Sequence, residues 1–121
     1  MIKVKRIYER PANDDGLRVL VDRLWPRGVS KDDARIGLWL KDIGPSAELR
    51  QWFSHDPARW KEFKRRYFNE LQGRQALVSE IIKKERRGTI TLLYGAKDEQ
   101  FNNGLALKEY LEIKKNETGI A

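Results

Sequence analysis

Leu17-Arg18-Val19-Leu20-Val21 is a nearly continuous, β-branched apolar run. Such a run reads as a strand covered on both faces, the kind found inside a parallel sheet. Thr89-Ile90-Thr91-Leu92-Leu93-Tyr94 is a second run of the same kind. Helical patterns lie between the two and after the second. That alternation fixes the expected fold class as α/β: a small, single-domain, layered fold with a short, mostly parallel sheet and helices packed on it. Both runs are expected to be central strands, parallel, and neighbours or nearly so.

Upstream, residues 2 to 8 alternate, with Ile2, Val4 and Arg6 facing one way and Lys3, Lys5 and Ile7 the other. That pattern predicts a strand near a sheet edge. The turn cluster Pro11-Ala12-Asn13-Asp14-Asp15-Gly16 separates it from Leu17. A parallel crossover normally needs about a dozen residues or more, so the spacing alone favours an antiparallel pair.

Downstream, Asp22 to Gly28 form a loop, and Ser30 is placed to cap a short helical turn over residues 31 to 34. Residues 36 to 40 read as a short strand or an extended segment. Ser46 is the expected N-cap of a short helix reaching Phe53. Asp56 and Pro57 suit the N-cap and first position of the next helix. There Trp60, Phe63, Tyr67 and Leu71 recur at helical spacing, and Gly73 ends the helix. Trp39, Trp52 and Trp60 are all expected in the core.

Residues 74 to 87 predict another helix, with Leu77, Val78, Ile81 and Ile82 inward. Basic residues close it, and Gly88 is expected to supply a left-handed C-terminal residue. A last helix runs from Asn102 or Asn103 to Lys114, with Leu107, Tyr110 and Leu111 inward. The chain thus divides into one domain, residues 1–115, and a flexible tail, residues 116–121.

Composition excludes several chemistries. The chain has 121 residues, no cysteine and one histidine, His55. Disulfides, thiolate metal sites and a cysteine nucleophile are therefore impossible, and a histidine-rich transition-metal site is not built. No metal or cofactor is expected. A formal charge of +7 favours anionic partners without naming them. No apolar run approaches the roughly 20 residues of a membrane helix, and Met1 to Lys5 lack a signal-peptide core. No membrane association is expected, and the cytoplasm is the expected location. The oligomeric state is not readable.

Two loops concentrate the candidate chemistry. Asp22-Arg23-Leu24-Trp25-Pro26-Arg27-Gly28-Val29-Ser30-Lys31 follows a buried strand directly. Ligand sites in open α/β sheets lie at the carboxyl ends of strands. Arg23, Arg27 and Lys31 gather positive charge there, and the arginine fork suits carboxylate or phosphate. Trp25 can exclude water or stack on a flat ligand. The second loop, Tyr94-Gly95-Ala96-Lys97-Asp98, leads to Asn102-Asn103 at a helix start, a position that attracts anions. The same residues also suit turns and caps, and the arginines also suit internal ion pairs. His55 is a further candidate base, although it stands where loop histidines are common. Lys61 and Arg65 form a second, weaker basic face.

The stretch Arg18 to Gly28 closely resembles the signature of the YeaO-like branch of the domain of unknown function 488 family. The likeness continues through Pro45-Ser46, Glu48-Leu49-Arg50, Trp52-Phe53, His55-Asp56-Pro57, Arg59-Trp60, Phe63 and Arg66-Tyr67. It resumes at Thr91 to Tyr94, Lys97-Asp98 and Asn102-Asn103, so it covers about residues 2 to 113. The resemblance implies a compact α/β domain without an assigned activity. It also implies a crossover between the first two strands, hence a parallel arrangement. Some relatives carry a cysteine in the loop after the last strand, where this chain has Tyr94-Gly95-Ala96-Lys97. Many carry His where this chain has Phe101, and Ala at the positions of Gly95 and Gly104.

The leading functional expectation is an anionic ligand, carrying phosphate or carboxylate, at the C-terminal ends of the central strands. Arg23, Trp25, Arg27, Lys31, Lys97 and Asn102 would bind it. The first alternative is a small hydrolase or transferase with Asp22 or Asp98 as base and an arginine as charge stabiliser. The second, ranked lower, is a nucleic-acid-binding protein driven by net charge.

Overall fold

A computed structural model describes residues 1–118 of the chain. Four strands, β1 (Ile2–Arg6), β2 (Leu17–Leu20), β3 (Leu38–Trp39) and β4 (Ile90–Tyr94), form one sheet in the order β1-β4-β2-β3. All pairings are parallel. Ile90 of β4 stands between Ile2 of β1 and Leu17 of β2. The two apolar runs are therefore adjacent central strands, and the expected α/β class is the observed one.

Four helices, α1 (Ala47–Phe53), α2 (Trp60–Gln72), α3 (Gln75–Arg86) and α4 (Asn103–Thr118), complete the fold. Strand side chains alternate between faces, and the two faces meet different partners. Ile2, Val19, Val21, Ile90 and Leu92 join one large core with Leu49, Phe53, Phe63, Tyr67, Val78, Ile81, Leu107 and Leu111 of the helices. Leu20 and Leu93 face the other way, into a small cluster with Ile7, Ala34 and Ile36. Helices thus cover one face, and connecting segments cover the other.

The antiparallel pairing favoured by spacing does not occur. β1 and β2 flank β4 on opposite sides and never touch as a pair. Residues 7–16 return along the second face through a turn at residues 7 and 8, an irregular segment and one 3₁₀ turn, Asn13–Asp15, in place of a helix. An extended chain covers more distance per residue than a helix, which lets a short segment span the strand length. Gly16 closes the crossover with φ +65°, and a Cβ there would lie 1.9 Å from the Thr89 carbonyl oxygen. No other residue type fits that approach.

Several local expectations need correction. Residues 31–35 form turns, although the Ser30 hydroxyl does accept from Asp33 N–H at 3.3 Å. Asp56 caps a 3₁₀ turn, Pro57–Arg59, that leads into α2. α3 ends with Arg87 in the right-handed region and Gly88 at φ 159°, so no left-handed glycine closes it. α4 continues through residues 116–118, which the sequence reading assigned to the tail; residues 119–121 lie outside the described residues. Trp52 and Trp60 pack against the core, but Trp39 is 37% exposed and meets Trp25 edge-on at 5.2 Å. β3 is a two-residue edge strand, so one side of Trp39 has no layer to cover it.

Candidate functional site

β2 and β4 end side by side, with Val21 N–H donating to the Leu93 carbonyl. Beyond that point the two chains separate and frame a cleft of about 910 Å³. The loop after β2, the loop before α1, the end of α1 and the start of α4 line it. The site therefore sits where a parallel sheet places ligand sites, outside the carboxyl ends of its strands.

Asp22 ties the elements together. Its Oδ2 accepts from Gly95 N–H at 2.8 Å, and its Oδ1 accepts from Asn103 Nδ2 at 2.9 Å. Asn103 Nδ2 also reaches the Val21 carbonyl at 3.3 Å. One carboxylate thus links β2, the loop after β4 and the first turn of α4. Burial raises the Asp22 pKa above the ordinary carboxylate value. The bonds from Asn103 and Gly95 and the Arg50 charge act in the opposite direction.

Arg23 lines the cleft but is committed to structure. Its Nε donates to the Pro45 carbonyl and its Nη2 to the Gly44 carbonyl, both at 3.0 Å. Gly44 packs so tightly that a Cβ would stand 2.9 Å from Arg23 N. Arg74 Nη1 also reaches the Gly44 carbonyl, at 2.6 Å. Ser46 caps α1 by accepting from Leu49 N–H at 3.1 Å and is itself held by Glu70. These bonds fix α1 beside the sheet end and aim its last residues at the cleft.

Arg27 and Arg50 differ from Arg23. Both line the cleft and both are exposed, and neither guanidinium makes a hydrogen bond or salt bridge among the described residues. Ser54 and His55 complete the rim. Both are left-handed, at φ 47° and 56°, an uncommon state for two consecutive non-glycine residues. That reversal ends α1 and turns His55 to the cleft mouth. Phe53, Phe63 and Phe101 form an apolar wall, with Phe53 and Phe63 stacked at 4.5 Å between ring centroids.

The expected residues separate into two groups. Asp22, Arg23, Arg27 and Asn102 line the cleft; Trp25, Lys31, Lys97 and Asp98 do not. Trp25 donates from Nε1 to the Val29 carbonyl at 2.9 Å and leans on Trp39. Lys31 and Lys97 are exposed on loops. Asp98 Oδ1 accepts from the N–H groups of Gln100 and Phe101, so it builds the turn. Asn102 caps α4, accepting from Leu105 N–H and donating to the Asp98 carbonyl. The two loops do meet, but through Asp22, Gly95 and Asn103 rather than through their charged tips.

Arg50, Gln51, Ser54, His55, Phe101 and Asn103 also line the cleft, beyond the residues expected to bind the ligand. Arg50 and His55 do lie inside the motif pieces that carry the family resemblance. Among the described residues, no group of three or more His, Asp or Glu side chains could hold a metal ion.

The DUF488-N3i family model, described as the inactive DUF488-N3 subclade, matches residues 1–119. This chain belongs to the DUF488 family. It is 37% identical over 110 residues to the uncharacterised protein YeaO of Escherichia coli K12, covering 91% of this chain and 96% of that one. It is 50% identical over 90 residues to the uncharacterised protein Rv3073c of Mycobacterium tuberculosis H37Rv, covering 74% and 75%. The resemblance to the YeaO-like branch is thereby established. No solved structure gives a significant match. Among the described residues, no helix of this DUF488 domain is long and apolar enough to cross a membrane.

Proposed function

We propose that this DUF488 domain binds a small anionic ligand in the cleft at the end of β2 and β4, with Arg27 and Arg50 as the anion contacts. The observation that carries this reading is the pair of guanidiniums without a hydrogen-bonded or ion-paired protein partner on one concave surface. Phosphate and carboxylate are the groups that match the arginine fork. The net charge of +7 adds a favourable long-range field. His55 at the rim can add a donor to the same group.

An enzymatic reading has one observation in its favour: Asp22 is a partly buried carboxylate with a raised pKa, the state a general base requires. The matching family model is described as an inactive subclade. Binding without turnover accords better with that description. Asp98 has no part in either reading, because it does not line the cleft and its Oδ1 holds the turn at Gln100 and Phe101.

A thermal-shift measurement with inorganic phosphate and simple phosphate esters tests the proposal. Ligand that binds the native state raises the melting temperature by mass action. The expected result is a shift that Arg27→Ala and Arg50→Ala each reduce and the double variant abolishes. A full shift in the double variant would assign the anion elsewhere, with the Lys61 and Arg65 face as the next place to test.

A further inference from the structure

We propose that the occupant of the cleft is a nucleoside monophosphate of the guanine type, phosphate at the Arg27 and Arg50 rim and base reaching inward to Asp22. This rests on the anion-binding reading and names the ligand class. The cleft is chemically polarised. Of its lining, Arg27, Arg50 and His55 are exposed, whereas Asp22 is partly buried. A second anion placed against Asp22 would be repelled, so the anionic end of a ligand belongs at the rim. The end that reaches Asp22 must bring donors.

Asp22 has capacity for them. Each of its oxygens accepts one protein bond, and a carboxylate oxygen can accept two. Two adjacent N–H donors on one rigid edge match that remaining capacity. Guanine presents such a pair on its Watson–Crick edge. Adenine presents a donor beside an acceptor, and the acceptor would face the carboxylate. A site built to pair with donors rejects the analogue that lacks one.

The cleft also has an apolar wall, to which Phe101 contributes a half-buried ring and Phe53 a nearly buried one. Aromatic side chains of this kind are stacking platforms for bases. The volume of about 910 Å³ falls within the roughly 300–1,000 Å³ of small-molecule sites and far exceeds what a bare phosphate needs. Charge, donor demand, aromatic lining and size are all met by a guanine nucleotide.

Isothermal titration of the full chain with inorganic phosphate, ribose 5-phosphate, AMP and GMP tests this. GMP should bind at least about tenfold more tightly than ribose 5-phosphate and than AMP, a gap of ~1.4 kcal/mol. Asp22→Asn should remove the preference for GMP over AMP and leave ribose 5-phosphate unchanged. Phe101→Ala should lower GMP affinity toward that of ribose 5-phosphate, and it decides the matter if Asp22→Asn fails to fold. Equal binding of GMP and ribose 5-phosphate, or of GMP and AMP, would overturn the nucleotide assignment and leave the anion site standing. Absence of binding by all four compounds, or binding indifferent to Arg27→Ala and Arg50→Ala, would overturn the anion site as well.

Discussion

Asp15 and Asp22 stand in opposite electrostatic situations. Asp15 is fully buried against the second face of the sheet. Arg18 Nη1 lies 2.6 Å from its Oδ2 and Lys5 Nζ 2.7 Å from its Oδ1, and Ala12 N–H donates to Oδ2. Burial pushes the pKa up, but the Lys5, Ala12 and Arg18 contacts outweigh it and hold the pKa at about 2. A folded-state value below the unfolded one means stability present above about pH 4 and lost as the pH falls toward 2. The loss from Asp15 should be about 2 kcal/mol, measured as the fall in denaturation midpoint between pH 5 and pH 2. Asp15→Asn should flatten that slope; an unchanged slope would remove Asp15 as its source. Asp22 has the opposite sign. Its raised pKa means that folding favours the protonated form, so its contribution declines as the pH rises through the folded value. Asp22→Asn should therefore steepen the net acid-induced loss, because it removes the opposing term.

At the scale of elements, the strands were the most legible part of the sequence, because two buried apolar runs leave few alternatives. Arg18 inside one of them was the exception. It is tolerated there because Asp15 and the Ala34 carbonyl receive its guanidinium, a three-dimensional arrangement that periodicity does not reveal. The crossover was misjudged for a related reason: spacing measures residues, and an extended segment closes a distance that a helix of equal length cannot. Gly16 makes that closure possible. Gly16→Ala should cost at least about 1–3 kcal/mol from its backbone conformation alone, with a further penalty from the Thr89 carbonyl. A denaturation midpoint unchanged by Gly16→Ala would contradict the crossover geometry. In α2, Trp60 packs on Phe53, Phe63 and Phe101 without being fully buried. Trp60→Ala should cost about 3 kcal/mol, the lower end for large aromatic truncations. A cost below the error of chemical denaturation would show that the ring does not support the cleft wall.

At the scale of the molecule, the sequence pointed to the sheet edge where the cleft lies, but it did not separate the residues that line the cleft from those that do not. The rule that ligands bind beyond the carboxyl ends of parallel strands leads to that edge. Within it, charge was the only available signal, and charge does not reveal commitment. Arg23 and Asp98 look as available in sequence as Arg27 and Asp22, yet their groups are spent on Gly44 and Pro45 and on the Gln100 turn. Arg50 arrives from α1 and His55 from the turn that follows it, which only the folded connection brings to the cleft. The most direct test of the anion site is a two-dimensional NMR titration of the uniformly labelled chain with inorganic phosphate, following backbone amides and arginine Nε–H signals together. Perturbations should concentrate at the Arg27 and Arg50 Nε–H groups and at the Ser54 and His55 amides, and should weaken as sodium chloride is raised. Perturbations confined to Lys61 and Arg65, or to the Trp25 and Trp39 face, with Arg27 and Arg50 unmoved, would contradict the account.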